Sequence, residues 1–181
     1  MKKYIKNKYL AEAAEWAITL AGMAAVFFIC QNFIFRTAVV SGPSMEPTLL
    51  HGERLVLLKL QYVFGDPKAN DIVAFPYKEN PSQNFVKRVI GLPGDVIDIN
   101  DRFLTINGVP FEDDFTNGPL ISVGDVKFPL TVPDGSYFVL GDNRDSSNDS
   151  RFTGVGTIPK KEMMGRVALR FWPLSRFGKV K

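Results

Sequence analysis

The run WAITLAGMAAVFFICQNFIF, residues Trp16–Phe35, divides the chain into two parts of different character. It contains no charged residue, and as a helix it would be about 30 Å long, which matches the hydrocarbon thickness of a bilayer. The run is longer than the apolar core of a cleaved signal sequence, and no small-x-small cleavage site follows it. We therefore expect a retained transmembrane anchor over residues 16–35.

The segment before the anchor, residues 1–15, is a basic leader with four lysines and two glutamates. Positive charge ahead of a single span predicts a cytoplasmic N-terminus, with residues 36–181 outside the cell membrane. The leader also accounts for most of the formal net charge of +3, so the rest of the chain is nearly neutral. A near-neutral ectodomain argues against nucleic acid as a partner.

The chain has one cysteine, Cys30, and one histidine, His51. A single cysteine excludes a disulfide within the chain, and the two residues are too few to build a zinc site. Cys30 lies inside the apolar run, where an inert packing role is the simplest interpretation. We expect neither a metal nor an organic cofactor.

Residues 36–181 are predicted to form a mainly β domain, an antiparallel barrel or sandwich. Short segments rich in β-branched and aromatic residues are separated by Gly, Pro, Asn and Asp. The strongest hairpin signal is Asn107-Gly108, between Phe103–Ile106 and Val109–Phe111. Residues 112–136 are expected to form peripheral loops and a hairpin. The other predicted strands are Arg54–Leu60, Asp71–Phe75, Phe85–Leu92, Val96–Asn100, Tyr137–Leu140 and Arg166–Trp172.

The first stretch with chemical potential is SGPSMEPTL, Ser41–Leu49, which begins six residues after the anchor. Its glycine and prolines indicate a turn. A hydroxyl held on such a turn, here that of Ser44, is how a nucleophile can be presented, although inert turn serines look the same. Ser44 follows Phe35 by nine residues, so an extended chain keeps it within about 30 Å of the membrane.

A serine nucleophile needs a proton acceptor, and two side chains compete for that role. His51 would need a separate acidic partner, and a solvated turn residue is its simpler interpretation. Lys87 lies in FVKRVIG between apolar strand formers, a setting where desolvation can lower a lysine pKa. Arg88 cannot be deprotonated, so only Lys87 of that pair can be a base. Lys59 lies in a similar alternating segment and serves as a control. The ordinary alternative for Lys87 is a lysine on an edge strand or one that snorkels to solvent.

The third stretch is GDNRDSSNDSR, Gly141–Arg151, directly after a predicted strand. Its alternating charges suit a lattice of ion pairs that fixes a loop beside a reacting centre. A calcium loop starting at Asp145 is a poor alternative, because Ser150 and Gly156 stand where glycine and glutamate are required. An ordinary polar loop stays open as an alternative.

In this order behind one anchor, SGPSMEPTL, KRVIGLPGD (Lys87–Asp95) and GDNRDSSNDSR resemble the three motif boxes of the type I signal peptidases. These are membrane-bound serine proteases with a Ser/Lys dyad, and the small single-anchor form resembles their Gram-positive branch. The resemblance covers nearly the whole chain. It implies an endopeptidase that removes signal peptides from exported preproteins after a small-x-small sequence. The implied partners are preproteins and the lipid bilayer.

The resemblance also implies roles for individual residues. Ser44 would be the nucleophile, Lys87 the general base and Ser147 the residue that orients the lysine. The Ser44 N–H would be one oxyanion donor, while Gly42 stands where some relatives have a serine donor. Supporting ion pairs would come from Arg88, Asp142, Asp149 and Arg151. Val40, Met45, Leu49, Phe85 and Val86 would wall the substrate pockets, and Phe171-Trp172-Pro173 would contribute to a membrane-facing surface.

Two further hypotheses compete with the protease. A Ser/Lys self-cleaving regulator would need a DNA-binding domain at the N-terminus, where this chain has its apolar run. A catalytically inactive surface module is compatible with Gly42 but leaves both dyad residues without a role. Cleavage of a preprotein by the purified protein distinguishes the protease from both.

Overall fold

A computed structural model describes residues 2–29, 34–101, 103–112, 115 and 122–180. Within the predicted peripheral segment 112–136, Asp113-Asp114 and Asn117-Gly118-Pro119 lie outside these residues. The described chain is mainly β, all its strand pairs are antiparallel, and one long helix precedes them. The predicted fold class is therefore confirmed.

The N-terminal helix α1 spans Lys2–Ile29. It begins well before the apolar run, because the leader is rich in Lys, Ala and Glu, which favour helix. Its segment Lys8–Phe28 is long and apolar enough to cross a membrane and is exposed along its length. The uncharged run extends to Phe35, whereas Phe35 is already the first residue of a strand and pairs with Leu58.

Two sheets build the domain. Their strands are β1 Phe35–Val39, β2 Arg54–Leu58, β3 Ile72–Tyr77, β4 Asn80–Gly91, β5 Val96–Asn100, β6 Phe103–Ile106, β7 Val109–Pro110, β8 Leu130–Thr131, β9 Ser136–Leu140, β10 Ile158–Pro159, β11 Gly165–Trp172 and β12 Gly178–Lys179. The larger sheet has the strand order β1-β2-β11-β3-β4-β9-β10, with β12 paired to β11, and the smaller one has the order β7-β6-β5-β8. A one-turn helix α2, Gln61–Phe64, follows β2, and 3-10 turns lie at Arg144–Ser146, Lys160–Glu162 and Leu174–Arg176.

All six predicted strands and the Asn107-Gly108 hairpin are present, with ends moved by a few residues in most cases. The largest difference is β4, which begins at Asn80 rather than Phe85. Its polar first half, Asn80–Asn84, carries turn-forming residues and gave no strand signal. It is extended because it pairs with β3 in a long hairpin, where Phe75 faces Phe85 and Pro76 faces Asn84. Strand pairing here overrides local propensity.

Three apolar clusters hold the domain together. One lies under the Ser44 turn and includes Met45, Leu49, Leu55 and Leu57. A second packs β3, β4 and β9 together, with Phe75 and Val139 fully buried. The third joins the small sheet to β4 and β9 through Ile90, Ile97, Phe138 and Leu140, among others. Strand β4 contributes to all three clusters, so it is buried on both faces over its second half.

Candidate active site

Ser44 lies on a tight turn between β1 and β2. The N–H of Glu46 donates to the carbonyl of Pro43 at 3.0 Å, and the N–H of Leu49 donates to that of Met45 at 2.8 Å. Gly42, at φ 89°, adopts a backbone conformation that side chains disfavour. Met45 and Leu49 are buried beneath the turn. The local sequence thus makes the turn, and its apolar residues fasten it to the core.

Lys87 projects from β4 onto this turn. Its Nζ lies 2.8 Å from Oγ of Ser44, the hydrogen bond that the dyad hypothesis requires. The side chain is almost wholly buried, and its Nζ lies 5.0 Å from the centroid of the Phe85 ring. The two residues are 43 positions apart in sequence. Their meeting is therefore a result of the tertiary fold.

Burial lowers the pKa of Lys87 from 10.5 to about 8. Desolvation of the ammonium is the main cause, because a charge in a low-dielectric site loses its hydration. The nearby charges act in both directions: Asp149 and Asp142 raise the pKa, while Arg151 lowers it. A lysine with a pKa near 8 has a useful neutral fraction at neutral pH, so it can accept a proton.

The competing base, His51, has a different task. Its Nδ1 accepts a hydrogen bond from the N–H of Gly42 at 3.2 Å, so it braces the start of the nucleophile turn. Oγ of Ser44 has Lys87 as its partner instead. The control residue Lys59 lies half-buried after β2, and its N–H bonds the carbonyl of Ile34 at 2.9 Å. Of the three candidate bases, only Lys87 contacts the serine.

The third stretch forms two buried ion pairs. The Arg88 guanidinium holds Asp142 with Nε–Oδ1 at 2.8 Å and Nη2–Oδ2 at 2.7 Å. The Arg151 guanidinium holds Asp149 in the same forked manner, at 2.8 and 2.9 Å. The pairs anchor the loop further, since Arg151 also donates to the carbonyls of Ser122 and Arg144. The calcium-loop alternative would use Asp149 as a ligand, but both of its carboxylate oxygens accept hydrogen bonds from Arg151.

This loop also touches the nucleophile directly, which sequence reasoning missed. The N–H of Asn143 donates to the carbonyl of Ser44 at 3.1 Å. A Cβ placed on Gly141 would collide with that same carbonyl oxygen and with Oγ of Ser147. The Gly-Asp-Asn sequence after an apolar strand is the signal that marks this close backbone approach.

A second missed group holds the far side of the turn. Glu53 is buried and is paired with Arg170 at 3.2 Å and with Arg176 at 2.8 Å. Arg170 also donates to the carbonyl of Thr48 at 3.1 Å. The acid lies beside the turn in sequence, but its partners come from β11 and the 3-10 turn after it. No local pattern in the sequence indicates this pairing.

Ser147 lies beside Gly141 in the buried loop. The expected hydrogen bond to Lys87 is absent: Oγ of Ser147 is buried without a hydrogen-bond partner in the described part of the chain. The one hydrogen-bond partner of the Lys87 amine in the described chain is Oγ of Ser44. A role for Ser147 in orienting the lysine stays a proposal.

A cleft of about 730 Å³ opens over the dyad, between β1 on one side and the first half of β4 on the other. Four of the expected pocket residues line it: Val40, Met45, Phe85 and Val86. Leu49 does not, because it is fully buried in the cluster beneath the turn. Residues that the sequence did not single out complete the lining, among them Ala74, Leu57 and Met164.

One backbone donor beside the dyad is free to bind a substrate oxygen. The Ser44 N–H has no acceptor in the described parts of the chain, so it is available to a developing oxyanion. Gly42 has no side-chain donor, and its N–H is already bonded to His51. The second oxyanion donor is therefore not supplied by Gly42.

A family model described as signal peptidase, peptidase S26, matches residues 13–172. Signal peptidase I of Leptolyngbya laminosa is 37% identical over 172 residues, covering 90% of this chain and 82% of the relative. Signal peptidase I P of Bacillus subtilis subsp. natto is 37% identical, covering 92% of this chain and 93% of the relative. Signal peptidase IB of Staphylococcus aureus is 34% identical with the same two shares. The chain belongs to the signal peptidase family of serine peptidases, peptidase S26.

Proposed function

We propose that this chain is a membrane-bound serine endopeptidase that removes N-terminal signal peptides from exported preproteins. The observation that carries the proposal is a buried lysine, with a pKa lowered to about 8, whose Nζ lies 2.8 Å from Oγ of Ser44 in an open cleft. Family membership supports the substrate class, since the relatives are named signal peptidases. No metal or organic cofactor enters the proposed reaction.

In the proposed reaction, neutral Lys87 takes the proton of the Ser44 hydroxyl as Oγ attacks the scissile carbonyl. The negative charge that develops on the carbonyl oxygen is stabilised by the Ser44 N–H. The Lys87 ammonium then gives its proton to the departing amine as the peptide bond breaks, leaving an ester on Ser44. A water molecule, deprotonated by Lys87, hydrolyses the ester and releases the acid, and the proton returns to Oγ of Ser44.

The substrate is proposed to bind as an extended strand. Strand β1 is the edge of the larger sheet, and the first half of β4 pairs with β3 on one side only. Both strands line the cleft, so their unpaired backbone groups are available for β-addition. Val40, Met45, Phe85 and Val86 give the cleft apolar walls, which suits the small residues of a small-x-small sequence.

We also propose the membrane arrangement. Helix α1 crosses the cell membrane once, the basic leader lies in the cytoplasm, and the domain from residue 36 lies outside. This places the cleft near the membrane surface, where a preprotein's signal peptide would emerge.

The test is single-turnover cleavage of a purified preprotein by the full-length enzyme in detergent. Ser44→Ala and Lys87→Ala are expected to lose cleavage while His51→Ala and the matched lysine variant Lys59→Ala retain it. Normal cleavage by Lys87→Ala, or loss only in His51→Ala, would overturn the dyad. Preprotein binding without cleavage by the wild-type enzyme would instead favour the inactive binding module.

A further inference from the structure

Helix α2 presents two apolar side chains to solvent. Val63 is 67% exposed and Phe64 is 85% exposed, the largest value among the large apolar residues of the described chain. The helix is not loosely attached. Tyr62 is buried beneath it and donates to Asp71 at 3.2 Å, and the N–H groups of Val63 and Phe64 both bond the carbonyl of Leu60. The two apolar side chains are therefore held outward on a short, fixed element.

The position of α2 relative to the end of the anchor indicates which partner covers its exposed side chains. Lys59, two residues before α2, bonds the carbonyl of Ile34, and Leu58 pairs with Phe35. Ile34 and Phe35 are the last residues of the uncharged run, and Arg36 carries the first charge after it. These residues consequently lie at the membrane boundary. Phe64 follows Lys59 by five residues, so it lies within about 17 Å of that point.

A groove of about 680 Å³ runs beside α2. Three lysines line it, Lys59, Lys160 and Lys161, and the one acid among its lining residues is Asp134. Lys160 is paired with Asp66 at 2.7 Å, whereas Lys161 is exposed. Apolar side chains beside exposed lysine are the composition that binds an anionic membrane surface.

We propose that α2 docks on the bilayer that holds the anchor, with Val63 and Phe64 inserted at the headgroup–acyl boundary and Lys161 directed at anionic headgroups. The contact is distinct from the expected one at Phe171-Trp172-Pro173. Trp172 pairs with Arg54, at the end of the β1–β2 ladder remote from Leu58 and Phe35. Helix α2 gives the domain a second attachment beside the anchor, which limits how far the domain can tilt.

The test places a fluorophore on the helix. In the full-length Cys30→Ala enzyme, Phe64→Cys is labelled with an environment-sensitive dye and reconstituted into vesicles of phosphatidylglycerol and phosphatidylcholine containing nitroxide-labelled acyl chains. The matched control is Phe103→Cys, an exposed phenylalanine in the hairpin of the small sheet. We expect quenching at position 64 to exceed that at position 103 by at least threefold, with blue-shifted emission. Equal quenching at the two positions overturns the proposal. Blue-shifted emission without quenching also overturns it, because a protein then covers α2.

The headgroup part has its own measurement. Quenching at position 64 is expected to fall when phosphatidylglycerol is replaced by phosphatidylcholine, and Lys161→Glu is expected to abolish that dependence. Quenching that is indifferent to lipid charge overturns the role of Lys161. The docking rests on the proposed membrane anchoring and not on peptidase chemistry. Quenching is read without any substrate, and thermal unfolding of each labelled protein shows that it is folded, so failure of the proposed cleavage leaves this result readable.

Discussion

Two neighbouring regions of this protein bury cations in opposite ways. Arg88 and Arg151 are fully buried, and each is gripped by a carboxylate through two hydrogen bonds, from Asp142 and Asp149. Lys87 is adjacent to Arg88 and almost equally buried, but no carboxylate of the described chain lies within ion-pair distance. The buried guanidinium groups, each paired with a carboxylate, are structural cations, whereas the buried amine without a paired carboxylate has a lowered pKa and is able to act as a base.

The ion pairs also matter for Lys87 itself. Asp149 and Asp142 raise its pKa and Arg151 lowers it, so the charges of the pairs act in opposite directions at the amine. Desolvation is then left as the dominant effect. A nearby aspartate without an arginine partner would stabilise the ammonium and raise the pKa of Lys87. The lysine would then be a poorer base at neutral pH. The pairing of each carboxylate with an arginine therefore supports the loop and places an opposing charge beside each aspartate.

The largest effect is expected for Lys87→Arg, which replaces the buried amine with a guanidinium like those of Arg88 and Arg151. Arginine stays protonated at any accessible pH, so it cannot take the Ser44 proton. We expect single-turnover cleavage to fall by at least about 10⁴-fold, as for loss of a catalytic base elsewhere. Cleavage within tenfold of wild type would mean that another group is the base.

Asp149→Asn tests the paired cations instead, because it leaves Arg151 buried without its carboxylate partner. Removing one member of a buried pair destabilises by about 3–5 kcal/mol. Urea unfolding of the full chain in detergent measures the loss. The matched control is Asp66→Asn, whose pair with Lys160 is exposed and is worth less than about 1 kcal/mol. Equal losses in the two variants would contradict the structural importance of burial.

Lys87→Met removes the buried charge while keeping the chain length. Below pH 8 the lysine is protonated in both the folded and the unfolded state, so the folded state bears the desolvation penalty. Lowering its pKa from 10.5 to about 8 corresponds to roughly 3 kcal/mol. We expect the methionine variant to be more stable at pH 7 by up to that amount.

The lowered pKa of Lys87 also predicts that the stability of the wild-type protein rises with pH. Between pH 8 and pH 10.5 the unfolded chain binds more protons at this site than the folded chain, so stability contributed by Lys87 rises with pH. In Lys87→Met that rise should be absent. Unfolding curves at pH 7 and pH 10 compare the two, and parallel pH dependences would contradict the lowered pKa.

The lowered pKa of Lys87 also sets the pH dependence of the cleavage rate. Neutral Lys87 is the active form, so kcat/KM should rise about tenfold per pH unit below its pKa and level off above about 8. A profile measured from pH 5.5 to pH 10 in detergent tests this. A rate that keeps rising to pH 10 would mean that the lysine keeps its ordinary pKa.

Local sequence predicted a large part of the fold because its signals are local. The uncharged run, the Asn107-Gly108 hairpin and the β-rich segments were all read from neighbouring residues. The first half of β4 was missed, since Asn80–Asn84 is extended only by pairing with β3. Leu49 was misplaced for a related reason: a turn residue near the nucleophile faces either the cleft or the core, and packing sent it to the core.

The features of the candidate site also fall into those that the sequence indicated and those that depend on the fold. The sequence alone narrowed the reactive side chains to Ser44 on the Gly-Pro turn and to a few candidate bases, of which Lys87 was favoured over His51. It also identified the loop of alternating charges. The tertiary structure decided the 2.8 Å contact of Ser44 and Lys87, the burial that lowers the lysine pKa, and the choice of partners for Arg88, Arg151 and Glu53. Reactivity is a property of residue type, whereas distance and desolvation depend on segments far apart in the chain, and only folding brings those together.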